Sequence, residues 1–221
     1  RAALSAARSV HATSLTPTQH TSSRSFRTAA DVRLQCMIKH PRLSEFHSLA
    51  EHLHAGLLEG TPSVSCYVPQ PFRLRIGKRR YTPDCYVVEG RQRRVIELKP
   101  RGEFDDALKA PLEAFFATQG MVFEVLANES VYERSLEAQN WLAVTRVLHL
   151  NRELNTHAQE LEVLEAIAPS QGRALGEIID PGHRRESLGL ELATFRLLHR
   201  GVLSANLAEA VLDFDTWVTV A

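Results

Sequence analysis

The segment YTPDCYVVEGRQRRVIELKP, residues 81–100, limits what this chain can fold into more than any other. Two short runs rich in β-branched residues, 85–88 and 95–98, flank a Gly-containing turn at 89–93, which is the pattern of a β-hairpin. Side chains alternate along a strand, so Glu97 and Lys99 face one side and Leu98 the other. With Asp84 leading the facing strand, two carboxylates and one ammonium converge. Carboxylates held that close repel, and a hard divalent cation with oxygen ligands lets both stay ionised. A lysine beside such a cation can orient or deprotonate a water. The same residues also describe a plain surface hairpin with a Glu97–Lys99 salt bridge, a pattern short enough to recur by accident. The proline before Asp84, the apolar strand into Glu97 and the helix-like segment after Pro100 favour the chemical reading.

With these residues in view, the segment resembles the PD-(D/E)xK nuclease superfamily and, more narrowly, the TnsA-type transposon-end endonucleases. Three further pieces carry the narrower likeness. FHSLAE, residues 46–51, is similar to the family's S-L-L-E helix; VSCYVPQP, residues 64–71, to its V-x-x-Y-x-x-Q-P strand; and RYTPD, residues 80–84, to the strand before its aspartate. The likeness covers about residues 42–130. It implies an α/β fold with a restriction-endonuclease-like core, a mixed sheet flanked by helices, followed by a small helical, winged-helix-like domain. It also implies that Asp84 and Glu97 bind Mg2+ or Mn2+ together with the Leu98 carbonyl, that Glu51 is the third acid, and that Lys99 positions the nucleophile. Gln70, the glutamine of the Q-P pair, takes a supporting role. The implied activity is a metal-dependent DNA endonuclease that cuts the 5′ strand at transposon ends during cut-and-paste transposition. Its implied partners are a DDE-type (TnsB-like) transposase and an AAA+ (TnsC-like) regulator, in the bacterial cytoplasm. In the family the position of Glu97 can be glutamine; the glutamate here is closer to the wider superfamily. A stand-alone restriction or repair nuclease stays open, as does a non-catalytic DNA-binding or adaptor protein that kept the fold.

The 221 residues carry 26 Lys+Arg against 26 Asp+Glu, so the whole-chain balance announces no nucleic-acid partner. The distribution differs: from residue 73 to 101 basic side chains far outnumber acids. Arg73, Arg75, Lys78, Arg79, Arg80 and Arg101 are the candidate DNA contacts, although a run of arginines on a hairpin is equally a solvated face. Cys36, Cys66 and Cys85 form no C-x-x-C pair and read as reduced residues of an intracellular protein. No apolar run reaches the ~18 residues of a membrane span. Residues 1–41, without an acid until Asp31, suit a flexible basic arm touching DNA phosphates, and equally mimic a transit peptide; the arm is favoured.

A nuclease domain is expected over residues 42–130 and a helical, winged-helix-like domain over 131–221. A first helix is expected over 43–58, capped by Ser44, with Phe46, Leu49, Ala50, Leu53 and Leu57 as its buried stripe and Glu51 off the stripe's centre. Glu45 is the fallback acid. Gly60 and Pro62 stop this helix. Strands follow at 63–68 and 72–76, with Gly77-Lys78 turning into 79–88; then come a helix over 104–118, kinked or broken at Pro111, and a buried strand over 121–126. Further on, 131–150 reads as an amphipathic connector, with helices at 157–168, 173–179 and 184–199. Residues 202–203 and 217–220 could pair as a wing. Glu177, Asp180, Glu186 and Glu191 leave this half only weakly basic, which favours protein docking over groove reading.

Overall fold

A computed structural model of the chain describes residues 7, 9–23 and 31–221. The chain divides into two units, Arg1–His54 with Ser63–Glu133 and Ala55–Pro62 with Arg134–Ala221. In chain order the first holds β1 (Val10–Ala12), β2 (Arg33–Cys36), β3 (Leu43–Phe46), the start of α1 (Leu49–Glu59), β4 (Val64–Pro69), β5 (Leu74–Ile76) and β6 (Arg79–Tyr81). It continues through β7 (Cys85–Glu89), β8 (Gln92–Lys99), α2 (Asp106–Thr118), β9 (Val122–Ala127) and α3 (Asn128–Tyr132). Its fold is α/β, with a mixed four-stranded sheet of order β4-β7-β8-β9 flanked by helices. Only the β8–β9 pair is parallel.

The hairpin sits at the centre of that sheet. β7 and β8 pair from Cys85↔Ile96 to Glu89↔Gln92, and Gly90, at φ +57°, occupies the left-handed turn position that a side chain resists. β8 has neighbours on both sides, and its stretch Val95, Ile96, Glu97, Leu98 is buried throughout. A carboxylate inside such a run is the exception that calls for explanation.

Under the sheet, Phe72, Phe116 and Phe123 build the main core with Val10, Leu74, Tyr86, Val95 and Leu112. Phe116 stacks on Phe123 at 5.9 Å and meets Phe72 at the same distance. α2 delivers Phe116. It starts on Asp105, whose side chain accepts from the Ala107 N–H, and runs unbroken past Pro111, where a kink or break was expected. Pro111 lies near the middle of the helix, and the packing of Leu112, Phe115 and Phe116 holds the line beyond it. Gly120 ends it at φ +66°, with the Met121 N–H on Phe116 O and the Gly120 N–H on Ala117 O, a Schellman closure.

The expected helix over 43–58 is corrected. Residues Leu43–Phe46 are a strand, paired with Arg33–Cys36 from Arg33↔Phe46 to Cys36↔Leu43, and the helix begins only at Leu49. Ser44 therefore caps nothing; Ser48 does, its hydroxyl accepting from the Glu51 N–H at 3.2 Å. The expected strand 79–88 is two strands in two sheets, because Pro83 has no N–H to continue a ladder. Of the expected arm, residues 1–6, 8 and 24–30 lie outside the described residues. Val10–Ala12 is β1, paired with β5, and Arg33–Cys36 is β2.

The second unit holds the end of α1, then α4 (Ser135–Leu150), α5 (His157–Ile167), β10 (Arg173–Ala174), α6 (Leu175–Ile178), a 3-10 turn at Pro181–His183, α7 (Leu188–His199), β11 (Leu203–Ala205) and β12 (Trp217–Val220). Its small sheet runs β10-β12-β11. The helix expected over 173–179 is thus a two-residue strand and one helical turn, because Arg173–Ala174 finds β12 as a partner. The helix expected from 184 starts at Leu188, after Asp180 has capped the Gly182 N–H at 2.8 Å. Gly60 leaves room for the Trp141 indole, which an added Cβ would meet at 2.1 Å. Glu59, fully buried, is bonded to His199 Nε2 at 2.7 Å.

Truncating Phe116 to Ala removes the ring that joins Phe72 to Phe123, and is expected to cost about 3–5 kcal/mol, read as a lower denaturant midpoint with an unchanged slope in urea unfolding.

Candidate active site

Four separate segments bring their functional groups to one place. Glu97 is on β8; its Oε2 accepts from the Tyr81 hydroxyl at 2.5 Å and its Oε1 faces Lys99 Nζ at 3.0 Å. Strand alternation accounts for the second contact, since Glu97 and Lys99 share a face. Asp84 stands just before β7, where its N–H bonds to Ile96 O and its Oδ2 accepts from the Leu98 N–H at 2.7 Å. Glu51 comes from the first turn of α1. Its Oε1 accepts from Ser48 Oγ at 3.1 Å, and its Oε2 from the His47 N–H at 3.1 Å and from Gln70 Nε2 at 2.6 Å.

Gln70 is the brace between them. Its side chain donates to Glu51, its N–H donates to the Asp84 carbonyl at 3.0 Å, and its Oε1 accepts from Gln19 at 2.8 Å. It is also the non-glycine residue at positive φ, +40°, among the described residues. Strain of that kind persists where the surroundings hold it, and here three partners do.

Electrostatics bind the four groups into one system. Burial raises the Asp84 carboxyl well above the usual Asp range, and the charges of Glu97 and Glu51 raise it further, against the Leu98 N–H and Lys99. Burial likewise raises Glu51; His47 and Ser48 pull it back, and Glu97 adds to the rise. Burial works against the charge on Lys99, yet Glu97 and Asp84 outweigh it and hold its proton more firmly than usual. The Tyr81 phenol is pushed upward by burial and by Glu97, so it stays a donor. Glu45, the fallback acid, belongs elsewhere: it is bonded to the Ser22 N–H at 3.0 Å and to His47 Nε2 at 2.9 Å.

Asp84, Glu97 and Lys99 open into a cleft of ≈ 270 Å³ walled also by Tyr81, Thr82 and Phe104, while Glu51 and Gln70 are not among its walls. Arg73, Arg75, Lys78, Arg79, Arg80 and Arg101 are all exposed. Arg79 and Arg80 border the cleft, Arg79 reaching Asp105 at 3.4 Å, and Lys78 rides the β5–β6 turn. The Arg101 N–H is held by the Glu129 carboxylate at 3.1 Å. Tyr81 and Gln19 escaped the sequence reading as site residues. Tyr81 lay inside the segment already singled out, three residues before Asp84; Gln19 has no local signal at all.

The donor set fits a hard divalent cation in kind, being carboxylates, two of them raised by burial and by the charge of Glu97, with no thiol among them. Among the described residues no three His, Cys, Asp or Glu side chains form a ready metal cage. Tyr81 and Lys99 contact the two oxygens of Glu97, and Ser48, His47 and Gln70 those of Glu51. No helix among the described residues is long and apolar enough to cross a membrane. No sequence model of a known protein family matches the chain, and no curated protein matches it.

Since the folded state keeps the Asp84 proton to a higher pH than the unfolded chain, it binds more protons between the ordinary Asp range and the raised value. Stability from this group is therefore present below the ordinary range and lost as pH rises through the raised value. Asp84→Asn, which can still accept from Leu98, is expected to melt higher than the parent at neutral pH without divalent metal, the gap closing as the pH falls towards 3.8. Thermal melts across pH check this.

Proposed function

We propose that this chain is a metal-dependent DNA endonuclease of the PD-(D/E)xK type with a restriction-endonuclease-like core, and that its second unit is a winged-helix-like docking module. The observation that carries the reading is the meeting of Glu51, from α1, Asp84, from just before β7, and Glu97 with Lys99, from β8, where the charge of Glu97 is felt by the other three. Structural ion pairs need one acid and one base. Three acids around one lysine leave an excess of negative charge that a divalent cation balances.

In this reading Asp84, Glu97 and the Leu98 carbonyl would hold Mg2+ or Mn2+, with Glu51 assisting. The bound ion supplies Lewis acidity at the scissile phosphate and makes water a better nucleophile. The chain's own groups do the rest. Lys99, ion-paired to Glu97, would orient the incoming water and offset charge on the phosphate. Tyr81 fixes the Glu97 carboxylate and Gln70 fixes Glu51, so neither acid has to be ordered when DNA arrives. The exposed arginines around the cleft supply the field that draws in the phosphodiester backbone. The substrate proposed is the 5′ strand at a transposon end, cut in the bacterial cytoplasm with a DDE-type transposase cutting the other strand under an AAA+ regulator.

Nicking of supercoiled plasmid and of end-containing duplexes, with Mg2+ or Mn2+ and with or without a transposase encoded beside it, tests the proposal. Cleavage only in the pair supports the transposition reading, cleavage alone points to a stand-alone nuclease, and none in either overturns the assignment. Asp84→Ala and Glu97→Ala are expected to abolish cleavage with folding intact by circular dichroism. Lys99→Met is expected to lower the single-turnover rate by about 10²–10³ while leaving duplex binding in place.

A further inference from the structure

A separate three-stranded sheet, of order β1-β5-β6, carries a pattern that the cleavage chemistry leaves unexplained. Its register sets His11 opposite Arg75 and Arg75 opposite Arg80. Alternation turns Val10, Ala12, Leu74, Ile76 and Tyr81 towards the core, so His11, Arg75 and Arg80 line up across the other face. Like side chains directly opposed across strands are destabilising when charged. No acid among the described residues pairs with any of the three, whereas Arg79, on the opposite face of β6, has Asp105. Arg73, exposed just before β5, extends the row, and these residues with Thr13 and Thr82 wall a cavity of ≈ 810 Å³.

We infer that the outer face of the β1-β5-β6 sheet is a seat for the phosphate backbone of duplex DNA, built from His11, Arg73, Arg75 and Arg80, which leads the strand into the acid cluster. Adjacent strands lie roughly 4.8 Å apart, so the row spans roughly 10 Å, a length that reaches about two neighbouring phosphates of one strand as it winds round the duplex. The side chains that stand out from the seat are cationic or hydroxylic, over a floor that includes Ala12, Leu74 and Tyr81, and a concentration of positive charge suits a repeating anion better than a folded protein surface. It also adjoins the cleft, since Arg80, Tyr81 and Thr82 wall both cavities. On β6 the neighbours Arg80 and Tyr81 point to opposite faces, one to the seat and the other to Glu97. The direction of the strand rests on the nuclease reading; the seat itself does not.

The test is equilibrium binding of a short fluorescein-labelled duplex of arbitrary sequence to the full chain, followed by anisotropy in EDTA over a salt series. The double variant Arg75→Glu/Arg80→Glu is expected to bind about tenfold weaker or worse, with the log–log salt slope reduced by about two. Arg91→Glu, an equally exposed charge on the β7–β8 turn, is expected to change little. Should the double variant misfold, Arg75→Gln/Arg80→Gln serves in its place; it removes the repulsion and is expected to melt no lower than the parent. Wild-type affinity and slope in the row variants, an equal loss in Arg91→Glu, or displacement of the duplex by polyglutamate as readily as by unlabelled DNA would each overturn the inference. Binding through the row with no cleavage under Mg2+ or Mn2+, with or without the transposase, would sink the nuclease assignment and leave the seat standing. Cleavage with row variants that bind normally would do the reverse.

Discussion

The burial of several carboxylates side by side is the constraint on which the candidate site depends. Burial raises the cost of ionising Asp84 and Glu51, and the charge of Glu97 adds to it for both. An ordinary sheet would not hold Glu97 in its most enclosed strand, where Val95, Ile96 and Leu98 are what that environment favours. The strand tolerates it because Tyr81 and Lys99 satisfy both oxygens, and the Leu98 N–H satisfies Asp84 across the hairpin. Stability is given up for a concentration of charge, a trade that folded proteins make at sites of chemistry more often than in structural cores.

The support around the acids has its own logic. Gln70 accepts an uncommon backbone conformation and in exchange links Glu51, through its side chain, to the residue that carries Asp84, through its N–H. Gln19 closes the arrangement by bonding Gln70 Oε1 and the Glu45 carbonyl. A residue far up the chain thus sets the geometry of an acid whose role it does not share. Beside this layer, the stacked Phe116 and Phe123 rings and the Schellman closure at Gly120 tie α2 to β9, which pairs in parallel with β8, the strand that carries Glu97 and Lys99.

What could be read from the sequence was what is local. The β7–β8 hairpin, its glycine turn and the shared face of Glu97 and Lys99 follow from alternation over a few residues, and the helix end at Gly120 from a single glycine. The start of α1 was misplaced because Leu43–Phe46 takes its hydrogen bonds from Arg33–Cys36, a partner that no helical periodicity can reveal. The two-residue strand Arg173–Ala174 was hidden for the same reason, its partner β12 lying more than forty residues on. Within the site, Asp84, Glu97 and Lys99 announced themselves by spacing, and Glu51 was reached through a family likeness rather than through its own surroundings. Tyr81 and Gln19 act through tertiary hydrogen bonds, Tyr81 to Glu97 and Gln19 to Gln70 and the Glu45 backbone, which short-range patterns do not encode.

Glu51 also belongs to the first turn of α1. The carboxylate that meets Asp84 and Glu97 is the one that closes the helix start, through Ser48 Oγ and the His47 N–H. An ion that drew this side chain inward would take it away from the amide and hydroxyl it now satisfies, and the opening residues of the helix would fray in proportion. Amide exchange at His47 is thus a gauge of occupancy, legible without following any reaction.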